Sequence, residues 1–182
     1  MSATRLLVLW AVRRRGTAHG YLISGDLEAV WAPEWAKLKS GSIYHALRQL
    51  TKDGLLEAFQ REEWPGRVDH RITAAGETEF HRLLRDALRR PDPRPDLKAA
   101  ALLLLTELPR DEAVELLEER LRVEEAECEK LTNRFTEQTE PETVAELLAM
   151  LRESADHNAA WTRRLLDRLR AGDFEMAADK SS

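Results

Sequence analysis

LKSGSIYHALRQLTKDGLL, running from Leu38 to Leu56, reads as a capped helix, a tight turn and the entry to a strand. Ser40 is the expected helix cap. Ile43, Ala46, Leu47 and Leu50 recur at one-turn spacing and make one apolar stripe. His45, Arg48, Gln49 and Lys52 occupy the other face. Asp53 and Gly54 stop the helix, with Gly54 free to take the left-handed conformation. A helix held by one apolar face, with hydrogen-bond donors outward, suits insertion into a DNA major groove. The same pattern also describes an ordinary amphipathic surface helix, so the flanking elements must decide.

Upstream, LLVLWAV within a helix over Ala3–Arg14 is apolar on more than one face and predicts burial. Arg13, Arg14 and Arg15 suit the end of that helix, and Gly16 breaks it. His19-Gly20-Tyr21 opens a second helix to about Val30, with Leu22, Ile23, Leu27 and Val30 as core candidates. Pro33 ends that region, and Trp31 and Trp35 in the connection are placed to cover the bundle. Downstream, Leu55–Trp64 reads as a strand, Pro65 and Gly66 as a turn, and Val68–Thr73 as the return strand. Alternation puts Val68, His70 and Ile72 on one face and Asp69 and Arg71 on the other. Thr73 precedes a helix to about Leu88. Three helices followed by a two-stranded ribbon make a winged helix-turn-helix with its wing near Gly66 and Arg67.

Pro91, Pro93 and Pro95 mark a stiff domain boundary. The expected division is 1–90 for the winged helix-turn-helix domain, 91–176 for a helical dimerisation and effector region, and 177–182 for a flexible tail. A helix over Leu97–Leu108 is apolar nearly all round and calls for cover from a second subunit. Asp111 is the expected cap of the next helix. Its stripe of Ala113, Leu117, Leu121, Cys128, Leu131 and Phe135 has near coiled-coil spacing, interrupted by Glu124. Pro141 opens a last helix carrying Leu147, Leu148, Leu151, Trp161, Leu165, Leu166 and Leu169, stopped by Gly172. Faces this long predict a homodimer, with Leu117, Leu121, Leu151, Trp161, Leu165 and Leu169 as its contacts. The fold class is therefore mainly α: a winged helix-turn-helix followed by an all-helical C-terminal dimerisation region.

The 182 residues are 43% hydrophobic, enough for a core. The formal charge of −5 does not favour a polyanion on totals. Its distribution does: 15 Lys/Arg stand against 11 Asp/Glu up to Arg90, and 13 against 22 thereafter. A basic front and an acidic back orient a protein on DNA. One cysteine, Cys128, excludes an intrachain disulfide and fits a reducing cytoplasm. The apolar runs are too short for a membrane span.

The motifs HGY (His19–Tyr21), SGSIYHAL (Ser40–Leu47), LTKDGLLEA (Leu50–Ala58), and Gly66-Arg67 followed by RITAAG (Arg71–Gly76) resemble the PadR-like transcriptional regulators over about the first 80 residues. The C-terminal half resembles the longer helical type in that family. The resemblance implies a dimeric winged-helix protein, usually a repressor on palindromic promoter DNA, released in some members by phenolic or other planar compounds. It puts the DNA contacts on Ser40, Ser42, Tyr44 and the exposed face after them. Tyr44 suits a phosphate at the helix start. Arg48 and Gln49 suit base edges, and Lys39 and Lys52 suit phosphates. Arg67 matches the family's basic wing tip, with Arg71 at the strand end. Two departures stand out. His45 replaces a usual proline and points outward, either to DNA or to solvent. The wing is short, and its Asp69 would repel a DNA backbone that it approached.

The five tryptophans read first as core. Trp161, with Trp10 if the last helix packs on the first across subunits, is the candidate site for a small aromatic effector. No phosphate loop, H-E-x-x-H or paired-cysteine pattern is present, so no enzyme activity, metal or cofactor is expected. The rival reading is a winged-helix protein-interaction module that leaves DNA alone. The cations Lys39, Arg48, Lys52, Arg67 and Arg71 favour double-stranded DNA, and a two-fold dimer would set its paired third helices on an inverted repeat.

Overall fold

The structure, a computed structural model, describes residues 2–60, 66–92, 94–137 and 141–177. It divides into two compact units: Met1–Ala87 with Asp92–Leu104, and Leu88–Pro91 with Leu105–Ser182. The helix beyond the prolines thus belongs with the first unit.

In the first unit, α1 (Ala3–Arg15) is the central helix, and every residue from Leu6 to Val12 is buried. Its apolar surface runs all the way round because α2 (Gly20–Ala29), α4 (Ser40–Lys52), the sheet and α6 (Pro95–Leu103) all pack on it. Between α2 and α4 lies a one-turn helix, α3 (Ala32–Trp35), where only a connection is expected from sequence. Trp31 does not cover the bundle. It sits at φ 58° with 72% of its surface exposed, while Trp35 donates Nε1–H to the Val30 carbonyl at 3.0 Å.

The expected two-stranded ribbon is a three-stranded antiparallel sheet, ordered β1 (Ala18–His19), β3 (Val68–Ile72), β2 (Leu56–Gln60). Ala18 pairs with His70, and Ala58 pairs with His70 from the other side. Two residues are too few to show an alternating pattern, which hides β1 from sequence reading. Burial along β3 also departs from the expected one-sided alternation. Asp69 and His70 are both buried, and Val68 is 38% exposed. The end of the expected first strand, Arg61 to Trp64, and the turn residue Pro65 lie outside the described residues.

Thr73 caps α5 (Ala74–Arg89): Gly76 N–H donates to Thr73 Oγ1 at 3.0 Å, and Thr73 Oγ1 donates to the Gly54 carbonyl at 2.8 Å. One side chain thus ties the turn after α4 to the start of α5. The apolar α6 finds its cover in α1 and α3 of its own chain, not in a second subunit; Leu97, Ala100 and Ala101 are buried and Leu102 stays 40% exposed. Near the prolines, Asp92 accepts hydrogen bonds from the Arg94 guanidinium and backbone amide, which pull its carboxyl down to about 2.

In the second unit, a 3-10 turn (Leu105–Glu107) leads to the antiparallel pair α7 (Arg110–Glu137) and α8 (Glu142–Ala171). Asp111 lies inside the first turn of α7 and is not its cap, since Ala113 N–H already bonds the Pro109 carbonyl. Pro141 is the residue just before α8. Arg110 donates to the carbonyls of Leu169 and Phe174, fastening the start of α7 to the end of α8. Glu124, the expected break in the α7 stripe, is buried, not solvated. It accepts from Arg120 Nε at 2.8 Å and from Thr162 Oγ1 at 2.6 Å. Leu117, Leu165 and Leu169, expected at a subunit interface, are 1%, 7% and 0% exposed within one chain. They form the α7–α8 seam. Leu121 and Trp161 are half-buried, and Leu151 is 42% exposed. The Phe135 side chain lies outside the described residues.

Candidate nucleic-acid interface

The stripe read from the sequence holds α4 down: Ile43, Ala46, Leu47 and Leu50 are 3%, 6%, 1% and 0% exposed. Ser40, Ser42, Tyr44, His45, Arg48, Gln49 and Lys52 are exposed, as is Lys39. One correction concerns the helix start. Lys39, not Ser40, occupies the cap position, and no side chain caps the helix. Ser40 is the first helical residue. The amide groups of a first turn have no partner within the helix and carry its positive end. The Ser42 amide bonds the Lys39 carbonyl at 2.8 Å; those of Ser40 and Gly41 remain available to an anion, beside the hydroxyls of Ser40 and Ser42 and the ammonium of Lys39.

Tyr44 is fixed by Gly20. A Cβ on residue 20 would lie 2.3 Å from Tyr44 Cε1, so the phenol ring rests against bare α2 backbone. Tyr44 stays 42% exposed. The glycine of HGY and the tyrosine of SGSIYHAL are thus two halves of one contact. Gly76 works similarly at the other end of the motif set. A Cβ there would lie 2.1 Å from the Leu55 carbonyl oxygen, so only glycine lets α5 start against the strand entry.

A groove separates α4 from the base of the wing, lined by Tyr44, Leu47, Arg48, Arg67, Val68 and His70. On the opposite flank of α4, Ser42, His45 and Gln49 face a second cleft with Ser2, Thr4 and Arg5 of α1 and its cap. Both clefts open on surface rich in donors.

The wing differs from the sequence expectation in its charges. Asp69 is 1% exposed and therefore not directed at a DNA backbone. It accepts from Arg67 Nε at 3.0 Å and Nη2 at 3.5 Å. Arg67 is thereby held at the wing base, with its charge matched by a buried carboxylate. Arg71 is exposed and lies over the Phe59 ring at 5.1 Å. His70 is 8% exposed, and its Nδ1 has no hydrogen-bond partner. Burial pushes its pKa below the ordinary imidazole value, against a backbone hydrogen bond at Ala18 and the neighbouring Asp69 carboxylate.

Trp10 is 6% exposed, with Arg14 over its ring at 5.6 Å. Trp161 is half-buried on α8. Among the described residues no group of three His, Cys, Asp or Glu could hold a metal ion, and no helix is long and apolar enough to cross a membrane. Sequence reading missed Tyr21, which is 77% exposed and lines the groove beside Tyr44. It appears in the HGY motif, but periodicity does not tell that its ring is outside.

The chain is similar along most of its length to solved structures of PadR proteins. With Bacillus subtilis PadR in complex with operator DNA it shares 22% identity, covering 91% of this chain and 98% of that one, at a TM-score of 0.38. With the same protein in complex with p-coumaric acid the values are 21%, 92%, 96% and 0.37. With the PadR-like transcriptional regulator BC1756 from Bacillus cereus they are 19%, 93%, 99% and 0.39. No curated protein matches. Residues 8–82, from α1 into α5, match the family model described as the transcriptional regulator PadR-like family. This region, which holds the uncapped α4 and its donor face, is the part of the chain that is similar to the PadR-like family of transcriptional regulators.

Proposed function

We propose that the protein is a homodimeric repressor that binds an inverted repeat of duplex DNA in the cytoplasm. The observation that carries this reading is the split surface of α4. Its apolar stripe is buried, while Tyr44, His45, Arg48, Gln49 and Lys52 face outward along a helix whose start is uncapped. Lys39, Ser40, Ser42 and Lys52 meet phosphates and fix the register. Arg48 reads guanine through O6 and N7, and Gln49 reads adenine. Arg71 reaches the flanking backbone from the wing, with Arg67 steadied by Asp69. Two copies related by a two-fold axis set their α4 helices in successive major grooves, about 34 Å apart.

Support for the second copy comes from apolar side chains left uncovered in one chain. Val123 on α7 and Leu147, Met150 and Leu151 on α8 are 51%, 50%, 58% and 42% exposed. A planar or phenolic compound bound beside the half-buried Trp161 is the proposed release signal, acting by changing the separation of the two α4 helices. The experiment is recovery of bound fragments from a genomic DNA library by the purified protein. One inverted repeat bound about a thousandfold above random DNA is the expected result. Absence of any enriched sequence refutes the reading and leaves a protein-interaction module.

A further inference from the structure

Resting on the DNA-binding reading above, we infer that Tyr21 is a backbone-gripping residue: its phenol hydroxyl donates to a phosphate of the strand that lies between α4 and the wing. Tyr21 is 77% exposed, more than any other large hydrophobic side chain among the described residues. It sits in the first turn of α2, whose core contacts are made by Ile23 and Leu27, both 0% exposed. Nothing in the core therefore holds Tyr21. The groove between α4 and the wing has Tyr21 and Tyr44 on its wall, and the cleft on the α2 side of α4 has both again. Both phenols line these clefts, and Gly20, one residue before Tyr21, is the surface on which the Tyr44 ring rests. His19 stacks on Tyr21 at 6.3 Å between ring centroids and 18° between planes, which limits where the hydroxyl can point.

The chemistry selects a phosphate. Arg48 lines the same groove and draws a polyanion toward it. A phosphate oxygen is a pure acceptor, and a phenol O–H is a suitable donor. Bases of an intact duplex are stacked on each other, so their faces are closed to the ring. The ring instead has the deoxyribose edge to pack against. A contact of this kind carries no sequence information, and a neutral donor displaces no counterion. That gives Tyr21 a signature different from both the base-reading and the cationic residues.

The test measures affinity of the full chain, Tyr21→Phe and Tyr21→Ala for a random-sequence duplex and for the fragment selected from genomic DNA, across a salt series. Thermal unfolding of each variant is recorded alongside. Tyr21→Phe should lose about tenfold on both duplexes, the order expected for a hydrogen bond to a charged acceptor. Tyr21→Ala should lose more. Both should keep the wild-type dependence on salt and unfold at the wild-type temperature. Variants that bind both duplexes like the wild type overturn the role of Tyr21 alone. A loss restricted to the selected fragment, or a reduced salt dependence, also overturns it. A wild-type chain that binds neither duplex overturns the regulator reading itself.

Discussion

A methyl group on residue 20 would lie 2.3 Å from Tyr44 Cε1, so Gly20→Ala forces the phenol ring out of its seat. Overpacking of this kind costs about 1–3 kcal/mol, and here the ring has an open side into which it can turn. The expected outcome is a modest drop in unfolding temperature with a larger proportional loss of DNA affinity. Wild-type affinity in Gly20→Ala would show that the position of Tyr44 is immaterial. His70 makes a second prediction. Its pKa is lowered in the folded chain by burial, so the unfolded chain takes up the proton first as pH falls. Stability is complete above the unfolded value, near 6.5, and is lost as pH drops through that value toward the folded one. Chemical denaturation at pH 7 and pH 5 should show a decline that His70→Gln reduces, even though its starting stability is lower. An unchanged decline in His70→Gln would assign the effect elsewhere. At this scale the sequence was informative where a side chain's fate follows from helical period. The outward face of α4 is legible for that reason. Asp69 was not, because its burial depends on β1, an element of two residues that pairs with β3 from 50 positions away.

The helix stops follow closely from the sequence, whereas the caps expected at Ser40 and Asp111 lie inside their helices. Gly54 at φ 72° ends the turn after α4, and Gly172 at φ 86° ends α8, both as their positions in the chain imply. Thr73 fixes the start of α5. The α7–α8 pair was harder, because which leucines meet within a chain and which face another depends on the angle between two helices. The period alone cannot give that angle. Glu124 illustrates the difficulty: it reads as a polar interruption, yet it is the centre of a buried Arg120–Glu124–Thr162 contact. Removing it takes this carboxylate from the Arg120 guanidinium, which is 4% exposed and also donates to the Arg90 carbonyl at 3.5 Å. Glu124→Ala should therefore lower stability by about 3–5 kcal/mol. Replacing Arg120 and Glu124 together by Met and Leu should recover most of that loss. A single Glu124→Ala variant as stable as wild type, measured by urea unfolding, would contradict the assignment.

At the scale of the whole molecule, the charge asymmetry of the sequence reappears as a division of labour. The donor-rich α4 belongs to the first unit, and the acidic α7–α8 pair belongs to the second. The proposed dimer requires the apolar side chains of α8 that its own chain leaves open, Leu147, Met150 and Leu151. Charging two of them, Leu147→Glu with Leu151→Glu, should halve the mass seen by sedimentation and weaken operator binding, because each half-site then binds alone. An unchanged mass would move the interface elsewhere. The central claim, that α4 reads DNA sequence, is tested most directly by the affinity of Arg48→Ala for the selected fragment and for a scrambled version of it. The account predicts a loss of about 1–3 kcal/mol on the selected fragment with little change on the scrambled one. Equal losses on the two would mean that Arg48 meets only the backbone, and would contradict the role given to α4.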